Sequence, residues 1–199
     1  MGQKNRKGKT LSPSVRDFLK IFFFLCVWIL VGIGWTRDAS SEPLEQFGEY
    51  QVKAAFLYNF GKFIEWPPRS FQDDKAPLIL GILGKDPFGD SLDSFKGKKI
   101  GSREFLVKVF PKLETLEKCH ILFIGASEKD QLSKVLKTIG GWNVLTVGDI
   151  PGFCQAGGIL NFAIEEKKVR FEINPQAAQR HGLKVSSQLV KLAKIIQEN

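Results

Sequence analysis

Three times between Leu78 and Phe153 a short unbroken apolar run ends on glycine and gives way to Ser or Asp and a polar stretch: "GILGKDPFGD", "LFIGASEKD" and "LTVGDIPGF". Apolar runs of this length without polar alternation are what strands covered on both faces require. The polar stretches between them carry helix-start chemistry, with Pro87 near a first turn and Ser127 able to cap a helix over "SEKDQLSKVLKTIG". Strands that alternate with helices pair in parallel, because a hairpin cannot return the chain in the same direction. The pattern therefore predicts an α/β fold in a single domain, a mostly parallel sheet with helices on both faces. "EFLVKVF" alternates and reads as a strand nearer an edge, and "DIPGFCQAG" reads as a short helix or turn. "ILNFAIEEKKVRFEIN" reads as two strands around a tight charged turn, an antiparallel hairpin toward one edge of the sheet. "PQAAQRHG" and "SSQLVKLAKIIQEN" close the chain as helices, the last with Leu189, Leu192, Ala193 and Ile196 on one face.

In a parallel sheet the three glycine turns fall on one edge, where helix N-termini present unpaired N–H groups and ligands dock. Gly84, Lys85, Asp86, Gly125, Ser127, Gly148 and Asp149 are the resulting ligand-pocket candidates. The plainer alternative is that short turns between strand and helix need Gly and a capping side chain whatever the function. The same topology puts Cys119 before its strand and Cys154 after its strand, at opposite ends of the sheet. A strand of about six residues spans roughly 20 Å, whereas disulfide Cα atoms lie within about 7 Å. Both thiols are expected to be free.

Chemistry-bearing motifs are missing: there is no G-x-S-x-G elbow, P-loop, G-x-G-x-x-G after a strand, H-E-x-x-H or paired C-x-x-C. His120 opens a buried strand and His181 precedes Gly182 at a helix end, two isolated imidazoles that make no metal site. Glu165 and Glu166 read as a solvated hairpin tip, and Arg170 with Glu172 as a strand-surface pair or a partner contact. No catalytic residues, metal or cofactor are implied.

The net charge of +8 is concentrated at one end. Residues 1–41 hold seven Lys/Arg against Asp17 and Asp38, which leaves +3 for the remainder and no basic stripe that would read as a nucleic-acid footprint. That basic start precedes "IFFFLCVWILVGI", thirteen apolar residues from Ile21 to Ile33. A bilayer span takes about 20 such residues, so the run reads as the apolar region of a signal segment, with an uncleaved anchor as the alternative. Residues 1–41 are thus a signal segment and linker, 42–199 the folded domain, and export is the expectation.

The domain opens with "YQVKAAFLYNFGKFIEWPP" after a polar linker over 36–47. At about 100° per residue, Val52, Phe56, Leu57, Phe60, Phe63, Ile64 and Trp66 cover half of a helix, which Pro67 and Pro68 would stop. Asn59 falls inside that arc and needs partners. The ring-rich face is wider than one sheet face requires. Phe56, Phe60, Phe63 and Trp66 are therefore candidates for a self-association or partner surface, with burial in the core as the alternative.

"EYQVKAAFLYNFGKFIEWP", "GILGKDPFGD", "CHILFIG", "VLTVGDIPGF", "GGILNFAIEEKKVRFEIN" and "GLKVSSQLVKLAK", in unbroken order from Glu49 to Lys194, resemble the YfiR family of bacterial periplasmic proteins. The resemblance implies a compact α/β fold, a dimer, and a non-enzymatic role in repressing an inner-membrane diguanylate cyclase, which lowers cyclic-di-GMP and biofilm formation. The runner-up reading is a periplasmic sensor that holds a small ligand at the Gly84, Gly125 and Gly148 turns. Some relatives carry cysteine pairs. Here the positions that would partner Cys119 and Cys154 are Gly81 and Asn161, so redox control of the family type is not expected.

Overall fold

The computed structural model describes residues 42–197, with side chains from Gly48 onward. Residues 1–41, expected to be a signal segment and linker, lie outside the described residues, and the folded unit runs from Glu42. It begins with helix α1 (Glu42–Phe63), followed by strand β1 (Ile64–Glu65). Strands β2 (Leu78–Leu83), β3 (Lys99–Ile100), β4 (Arg103–Phe110) and β5 (Ile121–Ile124) come next, then helix α2 (Leu132–Thr138) and strand β6 (Leu145–Gly148). Strands β7 (Leu160–Glu165) and β8 (Lys168–Ile173) form a hairpin. The chain closes with α3 (Pro175–Arg180), β9 (Lys184–Val185), α4 (Ser187–Leu192) and β10 (Lys194–Ile195).

Eight strands form one sheet in the order β10-β8-β7-β6-β5-β2-β4-β3. The inner pairs β4/β2, β2/β5, β5/β6 and β6/β7 are parallel, and the β7/β8 hairpin is antiparallel near one edge. The expected single mixed α/β domain with a mostly parallel sheet is what forms. Alternate residues of each central strand separate into two apolar clusters. Leu80, Ile82, Ile121, Phe123, Leu145 and Val147 join Ala54, Leu57 and Phe60 of α1. Leu83, Leu122 and Ile124 join Leu132 and Val135 of α2 instead. Period-two alternation is the cause, since successive Cβ atoms point to opposite faces of a sheet.

Several local expectations are corrected. The polar segment after β2 is a 3-10 helix over Gly89–Phe95, and the one after β5 is 3-10 over Ala126–Gln131 before α2 begins. Helix α1 starts at Glu42, inside the stretch read as a linker. Its end comes before Pro67, where Ile64 and Glu65 pair antiparallel with Val185 and Lys184. The last helix is also shorter than its periodicity suggested. α4 stops at Leu192, and Lys194 and Ile195 then pair in parallel with Glu172 and Ile173 of β8, a tertiary contact that overrides local pattern.

Buried arc of α1 is displaced by roughly 80° from the predicted face at about 100° per residue. Its centre runs through Lys53, Leu57, Phe60 and Gly61, all buried, whereas Val52 is 45% exposed. Asn59 is consequently on a shoulder, half-buried, where its Nδ2 donates to the Ala55 carbonyl (2.9 Å) and its Oδ1 accepts from Lys62 (2.9 Å).

Candidate functional site

Strand ends Leu83, Ile124 and Gly148 are register neighbours, so the three glycine turns lie side by side on one edge of the sheet. The protein's own atoms pack closely against the glycines themselves. Gly84 takes φ +89°, open to glycine at no steric cost, and a Cβ there would stand 2.3 Å from Ser127 Oγ and 2.5 Å from Glu128 Oε1. Ser127 does not cap α2. Its hydroxyl accepts from the Lys85 N–H (3.0 Å) and donates to Glu128 (3.0 Å), a buried carboxylate that also accepts from Gln131 (2.7 Å). Gly125 N–H donates to the Leu83 carbonyl (3.0 Å) and closes the same stitch. Asp86 is spent locally, accepting from the Phe88 N–H (2.8 Å). At the third turn the Phe153 ring packs onto the backbone of Gly148 and Gly158, where no Cβ could be accommodated.

Asp149, just beyond Gly148, is reached from helix α1. Tyr50 donates its hydroxyl to Asp149 Oδ2 (2.8 Å), and Lys53 Nζ lies 3.3 Å from the same oxygen and 2.6 Å from Glu49. Lys53 is 4% exposed, with its ammonium 4.5 Å from the centre of the Tyr50 ring. An ammonium can be buried here because two carboxylates and an aromatic face replace its water. Burial, and then the hydrogen bond to Asp149, hold the Tyr50 hydroxyl well above its ordinary titration range, so it stays a donor. Asp149 Oδ1 is buried without a hydrogen-bond partner. Tyr50, Lys53 and Glu49 were not singled out in the sequence. The available signal was a lysine at the centre of an apolar arc.

Beside this cluster, α1 and the β7–β8 hairpin enclose a groove of about 600 Å³. Val52 and Phe56 line it from the helix, Ile164 and Val169 from the hairpin, and Lys167, Lys168 and Arg170 form a basic rim. Glu49 belongs both to the groove and to the buried charge cluster.

The four aromatic candidates separate. Phe60 is 1% exposed and belongs to the core, its ring 5.8 Å from Phe162 and 5.2 Å from Phe171. Phe56 is half-buried on the same rings and reaches the groove. Phe63 is half-buried against the core, and Trp66 donates its indole N–H to the His120 carbonyl (3.3 Å) with its ring near Phe71.

Both imidazoles are structural. His120 accepts the Ile79 N–H at Nδ1 (3.0 Å) and donates from Nε2 to the Ser70 carbonyl (3.0 Å). His181 donates from Nδ1 to the Trp142 carbonyl (2.8 Å). Burial pulls both below the usual histidine range. Cys119 and Cys154 are buried, unpaired thiols, each pushed up to about 12 by burial. Among the described residues no three His, Cys, Asp or Glu side chains gather as a metal site, and no helix is long and apolar enough to cross a membrane.

These features define a small α/β module with side chains packed against its strand-end glycines and, among the described residues, an apolar, basic-rimmed groove beside its first helix. Family models match it as a YfiR/HmsC-like domain over residues 50–194, and the chain belongs to that family. The family is one of periplasmic regulatory proteins without enzymatic activity. Among solved structures, one similar chain is described as a conserved domain protein from Vibrio cholerae O1 biovar El Tor strain N16961. It is 10% identical, with a TM-score of 0.46, and the match covers 61% of this chain and 55% of that one.

Proposed function

We propose that this protein is a periplasmic regulator, exported by its N-terminal segment, that works as a homodimer and binds the periplasmic part of an inner-membrane signalling protein. The partner is of the diguanylate cyclase type, held repressed so that cyclic-di-GMP stays low. The observation that supports this most is family membership across residues 50–194, joined to a site whose turns are filled by Ser127, Glu128 and Phe153. A molecule with its strand-end edge packed and an open groove beside α1 is suited to contact between surfaces.

The second reading, a small ligand at Gly84, Lys85, Asp86, Gly125, Ser127, Gly148 and Asp149, draws on the unpartnered Asp149 Oδ1. It requires Ser127, Glu128 and Phe153 to move aside. Affinity capture with the full chain on detergent-solubilised inner membrane decides between the two. Recovery of a cyclase-type signalling protein, with cyclic-di-GMP rising when the gene is deleted, is the expected result. Tight uptake of a metabolite with no membrane protein recovered would reverse the order.

A further inference from the structure

Strand β8 is paired along its whole length on one side and scarcely at all on the other. β7 covers Lys168 to Ile173, whereas β10 meets only Glu172 and Ile173. Glu166 and Lys167 form the two-residue turn of the hairpin, with φ of 49° and 60°. A turn of this type makes Glu165 and Lys168 a hydrogen-bonded pair, and alternation then directs the N–H and C=O of Val169 and the N–H of Phe171 away from β7. The register of β10 on β8, which reaches only Glu172 and Ile173, leaves these groups without a ladder partner among the described residues. The free edge borders the groove.

Side-chain chemistry along that edge is asymmetric. Val52 is 45% exposed and Ile164 51% exposed, facing each other across the groove. On the rim, Lys167, Lys168 and Arg170 have no ion-pair partner among the described residues, although Glu165 sits across the ladder from Lys168. Glu49, the acid that lines the groove, is already held by Lys53. Unpaired main-chain groups, apolar side chains on one face and free cations on the other match an extended strand that alternates apolar with acidic residues.

We infer that the free edge of β8 is a docking site for an extended, acidic–apolar segment of a partner protein, which adds a strand beside Val169 and lays its apolar side chains into the groove between Val52 and Ile164. This rests on the reading that the protein acts by binding, and it names where and what it binds. Charge complementarity favours a protein segment of this composition over a second copy, because a copy would bring Lys167, Lys168 and Arg170 against themselves.

The test uses the full chain and two blocked eight-residue peptides, one alternating Glu with Val and one alternating Lys with Val. The Glu–Val peptide is expected to bind about tenfold more tightly at low salt, with the gap narrowing as salt screens the rim. Hydrogen exchange at the Val169 and Phe171 amides should slow. Lys168→Glu with Arg170→Glu, both exposed, should reverse the preference, and Ile164→Asp should abolish binding. Equal binding of both peptides, no binding, or protection at the other sheet edge around Val109 would overturn the inference, as would a dimer that Ile164→Asp dissociates. If these fail while membrane capture still recovers a signalling protein, the docking surface is wrong and the function stands. The converse result separates them the other way.

Discussion

Replacing Gly81 by cysteine should close a disulfide with Cys119. A Cβ built on Gly81 stands 3.0 Å from Cys119 Sγ. In a disulfide each Cβ lies about 3 Å from the opposite sulfur, as an S–S bond near 2.05 Å dictates, so the backbone is already placed for the bond. The bridge would enclose about 40 residues and remove chain entropy from the unfolded state equivalent to about 4 kcal/mol. Against this, the new Cβ meets Phe110 Cε2 at 3.0 Å and Leu122 Cδ1 at 3.2 Å. Both neighbours must yield slightly, at about 1 kcal/mol. The oxidised variant should therefore be more stable than the natural protein by about 3 kcal/mol and the reduced variant less stable by about 1 kcal/mol. Because burial pushes the Cys119 thiol up to about 12, thiolate is scarce once the protein is folded, and the bond should form during oxidative refolding. Urea unfolding with and without reductant gives the magnitudes, and peptide mapping identifies the pair. Two free thiols after oxidative refolding, or identical unfolding with and without reductant, would refute the geometric reasoning.

Three other outcomes are expected. His120 and His181 are depressed in the folded state, so the unfolded chain binds more protons. Their contribution is complete above about pH 6.5 and is lost as pH falls toward the folded values. Urea midpoints should fall between pH 7.5 and pH 5, and His120→Gln, which keeps an acceptor and a donor, should flatten the slope. Lys53→Met should cost about 3 kcal/mol because it leaves the buried Asp149 without its cation; a cost under about 1 kcal/mol would show that Tyr50 alone suffices. Asn174→Ala should cost about 2 kcal/mol, since the fully buried amide accepts from Ala177 N–H at the start of α3 and donates to the Cys154 carbonyl. Thermal unfolding measures that loss.

Central strands were legible because their signal is local: "LILGIL" and "ILFI" are apolar throughout, which only two-sided burial explains. The hairpin turn was equally plain, its charged residues flanked by alternating strands. What escaped depends on contacts distant in sequence. α4 looks periodic beyond Leu192, yet β8 recruits Lys194 and Ile195 into the sheet. The face that α1 buries was misplaced because a wheel weighted by aromatics ignores Lys53, whose burial depends on Asp149 nearly a hundred residues later. The shared edge of the glycine turns followed from topology, but not that Phe153 and Ser127 would pack it, since ring and hydroxyl placement is decided by tertiary fit.

The pairing of Ile64 with Val185, reinforced by the Ser186 N–H bond to the Phe63 carbonyl at 2.9 Å, ties the end of the first helix to the last turns of the chain. A polypeptide that emerges N-terminus first must keep its ring-laden opening helix unclasped until almost everything behind it has arrived. Such a molecule spends its synthesis with an adhesive segment waiting for its clasp, and a product cut short before Lys184 lacks the latch altogether.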